Sequence, residues 1–589
     1  MNGNNRSTAR RAPMFCALAL TMSAALAQDP AITPAVTIDQ NKIHDYPLAK
    51  ILESGGDFHT TPFTPEDGHG EGQDGPRSKQ RQLFYAQAFP NFPFLRLNGI
   101  DSQSCYECHN TIGSYVPPDY TPGSKALLRK PSPVGGSAGV ASNAFINPNF
   151  PTNLTQLVRN PPHVFGTGYG QSLAAEMSTL LGLQAAIATQ VAQAKAQQSG
   201  KSSTQSWALS AKGLSFGTYA VTCIPQGDCT PDASKVTGVQ SDLIVRPFQW
   251  KGIASSVRHF VRDAMDFHFS MQAVEKVGHF DCDRDGKVDE MTVGNVTALA
   301  SFVAMTRPPY VAIPTDPAGK KSFERGKAIF EGTAADLKGT LSGSMCATCH
   351  VPQMTLAAPL LVIENPPVPN VTDPSGCPTE TTLINAVPPE QHATTKQVKA
   401  RVAAILAKQA SLKSAVSAEA VESVAASARS DAVLASAPPS KLDPLDLLVD
   451  LTKPGDAPAY VYPRLQAQGD GQVVVPILSD LRLHNMGSGL ADSVSQGVDV
   501  STTPPVPPPL FLTRPLWGVA DTGPWLHDGR ARTLKEAIGF HNSTGSEATP
   551  IIQAFDKLSK EDQQAVVNFL LAQRLPIAQD ITQGATASK

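Results

Sequence analysis

Cys346-Ala347-Thr348-Cys349-His350 is a C-x-x-C-H run, and the same spacing occurs upstream as Cys105-Tyr106-Glu107-Cys108-His109. Such a run can fix one c-type haem: two thiols add across the vinyl groups, and the adjacent histidine becomes the proximal iron ligand. The spacing has to be short, because both thioether bonds and the Fe–N bond close on one rigid macrocycle from one turn of chain. A disulfide, a zinc half-site and a redox dithiol also use C-x-x-C. None of them calls for histidine directly after the second cysteine, twice over. The two runs predict two covalent haem c groups, held by Cys105, Cys108 and His109 and by Cys346, Cys349 and His350.

Export suits that chemistry. The first 27 residues have the order of a secretory signal, with Arg6, Arg10 and Arg11, an apolar stretch from Met14 to Leu26, and Ala25-Leu26-Ala27 as a small-residue cleavage site. The apolar run is too short to span a bilayer, and no later stretch reaches the 18 apolar residues of a membrane helix. A periplasmic or secreted protein, cleaved near Ala27 and without a membrane span, is expected. Loss of the three arginines moves the formal charge from −3 to −6, which excludes a basic nucleic-acid footprint. Of nine cysteines, Cys16 leaves with the signal and four go to haem. Cys223 and Cys229 flank a Pro-Gln-Gly-Asp turn and predict a small disulfide loop in an oxidising compartment. Cys282 and Cys377 remain, and the spacing leaves open whether they pair.

With 50 prolines and 44 glycines, long ordered loops around modest helical cores are expected. Residues 28–83 form a polar arm carrying His44, His59 and His69, which read as solvated loop histidines. A first cytochrome c-like domain covers 84–200, ending in a segment from Ser172 to Gln198 with strong helix propensity. Alternating β-branched runs over 201–250 read as a small β insert. A helical linker, 251–315, carries His259, His268 and Met271 as helix residues; a second haem domain covers 316–589, with a helical insertion at about 390–436. Ser559-x-x-Asp562 is a capping box opening a last helix with Val566, Val567, Phe569, Leu570 and Leu571 on its apolar side. The fold class expected is mainly α: two cytochrome c-like haem domains with long loops, the β insert and the helical insertion.

One stretch of the linker matches the first half of a calcium loop. Asp281, Asp283 and Asp285 stand at positions one, three and five, and Gly286 at six. Position twelve is Thr292 where a bidentate glutamate belongs, so Glu290 would have to serve from a shorter loop. An acidic solvated turn is the competing reading.

Three C-terminal stretches point to a family: Ser479-Asp-Leu-Arg-Leu-His484-Asn-Met486-Gly, Thr513-Arg-Pro-Leu-Trp517-Gly, and Gly523-Pro-Trp-Leu-His527-Asp-Gly running to His541. With the paired C-x-x-C-H runs, the chain resembles the bacterial di-haem cytochrome c peroxidase superfamily. It looks most like the di-haem thiol-oxidoreductase-like branch, and more distantly like the rubber oxygenases. In that superfamily the distal ligand of the C-terminal haem lies fourteen residues after the histidine of the HDG motif, which here is His541. The resemblance therefore implies a bis-histidine His350/His541 haem, with Met354 and Met486 as lesser rivals and His527 as a supporting donor. It also implies an interhaem calcium, held by Asn160 with the carbonyls of Thr522 and Pro524. No tryptophan follows Asn160 where peroxidases place one between the haems. The usual distal-histidine slot of the first haem is Thr152, and no histidine lies between His109 and His163. An iron held by His109 alone would be open to peroxide or dioxygen. Gln171 and Glu176 would then be the polar and acid–base helpers, and His163 either a distal group or a sixth ligand.

The function expected is a peroxidase-like oxidoreductase: the second haem relays electrons and the first reduces a small oxidant, peroxide or dioxygen. A small redox protein would be electron donor or acceptor. The alternatives are a pure electron-transfer cytochrome with both irons six-coordinate, and an oxygenase acting on a hydrophobic substrate at the first haem.

Overall fold

The computed structural model describes residues 37–60, 62–70, 102–105, 108–109, 144–146, 154–156, 160–339, 343, 345–374, 377, 393–408, 426–453, 465–492, 495–496 and 505–576. The signal-like leader, Thr152 and the middle of the helical insertion lie outside them.

The larger core is built around the helix Thr167–Ser199. Tyr169, Leu173, Met177, Leu180, Leu181 and Ile187 are all fully buried. A helix buried nearly all round has no solvent face to leave polar. One side of it takes a three-stranded antiparallel sheet, Ser203–Ala211, Leu214–Cys223 and Cys229–Val236. Trp207, Leu209 and Ala211 alternate inward along the first strand, as a pleated strand with one buried face requires. Lys212 and Gly213, both at positive φ (53° and 77°), make the tight hairpin turn. Against another side lies the helix Ala393–Lys408, through buried Val398, Val402 and Ile405. That part of the insertion is thus a core element and not a surface one.

A smaller core lies under the second C-x-x-C-H run. The helix Pro317–Phe330 crosses Lys560–Leu571, with Phe323 and Phe330 against the Phe569 ring at 5.5 and 5.0 Å. The backbones meet at Gly326, where a β-carbon would come within 1.9 Å of the Ala565 carbonyl oxygen. Only glycine allows that approach. At the start of the last helix Ser559 accepts from the Asp562 amide at 3.0 Å, the forward half of the box.

The expectation of a mainly α fold is overturned: 41% of the described residues are helical and 16% are strand, spread over several small sheets. Met354–Leu356 pairs with Val473–Val475, Leu360–Ile363 with Leu447–Asp450, and Leu483–Asn485 with Leu510–Leu512, all antiparallel. These short apolar and β-branched runs zip together loops far apart in sequence. Their backbone groups would otherwise be buried unpaired. Disulfides join Cys223 to Cys229 and Cys282 to Cys377, so neither takes a cysteine of the two C-x-x-C-H runs.

Candidate haem centres

Both C-x-x-C-H runs adopt the same single turn. The His350 amide donates to the Cys346 carbonyl at 2.9 Å, and the His109 amide to the Cys105 carbonyl at 2.7 Å.

At the second run, Cys346, Cys349 and His350 share a cleft with His541. It holds about 1550 Å³ free of protein atoms, including open solvent at its mouth, and its walls include Phe330, Leu516, Val519 and Leu570. His350 Nδ1 contacts the Leu478 carbonyl at 3.2 Å, and His541 Nδ1 the Ala537 carbonyl at 2.7 Å. A carbonyl can only accept, so each Nδ1 carries the proton and each Nε2 keeps its lone pair. Burial pushes His350 down to about 4, helped by the charge of His541, and lowers His541 as well. Two neutral imidazoles with anchored tautomers, two thiols and an apolar cleft fit a haem with two axial histidines. Burial also pushes the Cys346 thiol up to about 12, which disfavours a thiolate for zinc or redox exchange. His541 is delivered as the C-cap of helix Leu534–Phe540, whose start is fixed by the reciprocal Thr533/Glu536 capping box. Met486 lines the same cleft, whereas Met354 is buried in a strand ladder. His527 is buried at 5% exposure, with Nε2 3.4 Å from Asp492 and its ring 4.6 Å from Phe511.

Around the first run, the His109 ring meets Phe260 edge-on at 6.3 Å. Burial pushes it down to about 4, with His268 and Arg514 adding to the fall and the Pro162 carbonyl opposing it. Of the arm histidines, His44 lies exposed against the Pro444 carbonyl at 2.8 Å and His69 Nε2 donates to Ser102 at 2.9 Å. His59 differs. It sits on the helix Leu48–Thr60 at 1% exposure, packed on Phe302, and its Nδ1 has no hydrogen-bond partner. Burial and the nearby His109 push it down to about 3, so it is neutral. The arm is tied to the first run by the Phe63 amide, which donates to Gln103 at 2.8 Å. A solvated loop histidine was the expectation there; the arm lacks the periodicity that would have shown a buried helix. His163 Nε2 donates to the Trp517 carbonyl at 2.9 Å, and burial with Arg514 pushes it down to about 3.

Gln171 and Glu176 lie in the long helix and are committed to the core. Gln171 donates to the Val362 carbonyl at 3.0 Å and accepts from the Val257 amide at 2.7 Å. Glu176 accepts from Lys212 Nζ at 2.5 Å and from the amides of Ala357 and Ala358 at 3.0 and 2.7 Å. Both carboxylate oxygens are thereby engaged, which leaves little to offer an incoming oxidant.

Asn160 and Pro524 do come together, as the resemblance implied. The Asn160 Nδ2 donates to the carbonyls of Pro524 (2.5 Å) and Leu526 (3.2 Å), and its buried Oδ1 has no partner. Turning that amide over would aim an oxygen at two carbonyls, the donor set of a hard cation. Thr522 lines the same cleft, its hydroxyl on the Val519 carbonyl. Trp250 escaped the sequence reading. Its Nε1 donates to the Asn160 carbonyl at 2.7 Å, and the Arg514 guanidinium lies 5.8 Å from its ring. It stands 90 residues from Asn160, so no local spacing announces it.

In the acidic loop, carboxylate oxygens of Asp281, Asp283 and Asp285 all lie within 4.8 Å of one another. Asp281 accepts from the Gly286 amide at 3.0 Å, and Gly286 is at φ 91°. Glu290 lies outside that group and accepts from the Gln272 amide at 2.8 Å; burial, Asp283 and Asp285 push it up to about 10. Thr292 is engaged as the N-cap of helix Val293–Ala304, which explains why position twelve does not supply the ligand. If a cation neutralises this cluster, adding calcium to chelator-treated protein raises the unfolding midpoint. The gain is about 2.7 kcal/mol at a hundredfold excess over Kd. An unchanged midpoint in calorimetry refutes binding at the described acidic cluster.

No helix among the described residues is long and apolar enough to cross a membrane. No curated protein and no solved structure matches the chain. Residues 463–573, which include His484, His527 and His541, match the model of a family described as "Di-haem oxidoreductase, putative peroxidase", and this part of the chain is thereby related to the di-haem oxidoreductases.

Proposed function

We propose that this protein is an exported di-haem c-type oxidoreductase of peroxidase-like function. Its second haem is bound by Cys346 and Cys349 between His350 and His541 for electron transfer. Its first is bound by Cys105 and Cys108, with His109 as proximal ligand, for reaction with a small oxidant such as peroxide. The observation that carries this reading is the pair of neutral, carbonyl-anchored imidazoles, His350 and His541, in one apolar cleft with two thiols. When bound, the haems supply one-electron transfer and the reduction of the oxidant. The chain's own part is to hold, orient and move protons. With His350 and His541 both held to it, a haem there would offer substrate no free position and would sit at a lower potential than with a His/Met pair. His59, neutral and with an unclaimed Nδ1, is a group that can exchange a hydrogen bond with a small oxidant near His109. Asn160 with Pro524, and separately the acidic loop, are read as calcium sites. A small redox protein is the proposed electron partner. The basic and apolar leader supports export.

A second reading, a pure electron-transfer cytochrome, is favoured by the same His59 and by His268, whose charge acts on His109. Absorption and electron paramagnetic resonance spectra of the ferric protein separate the two. One low-spin and one high-spin haem, the latter shifting with cyanide or peroxide, is the result expected. Two low-spin irons indifferent to both ligands would sink the peroxidase function.

A further inference from the structure

We propose that Asp480, His484 and Glu547 form a charged clamp that keeps a positive charge against the attachment edge of the second haem and so sets its reduction potential. The inference rests on the reading above that Cys346 and Cys349 carry that haem.

His484 lies in the strand Leu483–Asn485, opposite Phe511 of Leu510–Leu512, and is 6% exposed. Its Nε2 is 2.8 Å from Asp480 Oδ2 and its Nδ1 is 2.7 Å from Glu547 Oε2. Ionised carboxylates only accept hydrogen bonds. Both ring nitrogens therefore carry protons, and the ring is an imidazolium. In agreement, Asp480, the Cys349 sulfur and Glu547 push His484 up to about 11 against the opposing effect of burial. The same Nδ1 lies 3.8 Å from Cys349 Sγ, the atom that would bond the porphyrin.

The surrounding charges make this cation matter. Asp480 is fully buried, accepts from the Arg482 amide at 3.0 Å, and lies 3.8 Å from the Arg482 guanidinium. Glu547, half-exposed, accepts from the Asn485 amide at 2.8 Å. The Asp480 carboxylate also lies within 4.8 Å of the Cys349 sulfur and opposes His484 at His350, so what His484 contributes is the cationic part of that balance. Glu547 is the anion most screened by water. A cation at the edge disfavours the ferric state, which carries one more positive charge than the ferrous state. It therefore raises a potential that two imidazoles would hold low. A bis-histidine relay tuned upward in this way is easier to reduce by its donor.

The clamp also joins the two sides of the cleft. Glu547 follows His541 by six residues, and the Ser546 hydroxyl donates to the His541 carbonyl at 2.7 Å. A purely structural role is therefore the competing explanation, and the test must separate charge from packing. Potentiometric titration of both haems in the full-length, haem-loaded protein does this for wild type, His484→Gln and His484→Lys. The expected result is a lower second-haem potential with glutamine, recovery of most of the shift with lysine, and a first haem unchanged in all three. Equal lowering by glutamine and lysine, or no shift in either, overturns the clamp. If glutamine blocks maturation, Glu547→Gln at the half-exposed end is used. Removing an anion there raises the potential, and a fall or no change overturns the proposal. Haem content separates this failure from that of the parent reading: a protein with no haem on Cys346 and Cys349 overturns the haem assignment itself.

Discussion

Replacing His541 with alanine is expected to turn the second haem from low-spin to high-spin while both haems stay attached. Attachment depends on Cys346, Cys349 and the local turn that presents His350, a turn closed by the Cys346 carbonyl without His541. The imidazole is held for coordination by its Nδ1 on Ala537 and by the C-cap position it occupies. With it gone, the cleft offers one other soft donor on its lining, Met486, already bridged to Ser546 across the loop. Near-complete loss of one low-spin resonance, with two haems still counted per chain, is the predicted outcome. A spectrum unchanged from wild type would remove His541 from the iron and with it the bis-histidine relay.

A second large effect concerns Glu176, a residue whose place in the sequence suggested chemistry and whose contacts indicate architecture. Its carboxylate and the Lys212 ammonium are each 2% exposed, and Lys212 also meets Asp431 at 2.8 Å. Removing Glu176 leaves Lys212 with Asp431 alone and takes the acceptor from the buried Ala357 and Ala358 amides. Glu176→Ala should cost about 3–5 kcal/mol in urea unfolding. It should leave peroxide turnover per folded, haem-loaded molecule near wild type. Turnover abolished with stability intact would restore Glu176 as an acid–base helper.

Much of the helical framework could be read along the chain because its determinants are local. The Ser559 box was expected to open the last helix, and the helix runs Lys560–Leu571 behind a Ser559 cap. The fold class could not be read in the same way. Val473–Val475 and Met354–Leu356 are each three residues long and become strands only through each other. A pairing across more than a hundred residues has no periodic signature.

The site divides along the same line. One turn of chain is enough to set two thiols and an imidazole for a single macrocycle, so Cys105, Cys108, His109, Cys346, Cys349 and His350 stand out as candidates from spacing alone. His541 was legible only through a family motif. Burial and hydrogen-bond partners are properties of the packed chain. They turned His59 from an arm residue into a neutral buried imidazole, brought Trp250 to Asn160, and closed two carboxylates on His484. Local covalent reach is written in residue order, whereas the charge and protonation of an imidazole depend on neighbours that only folding supplies.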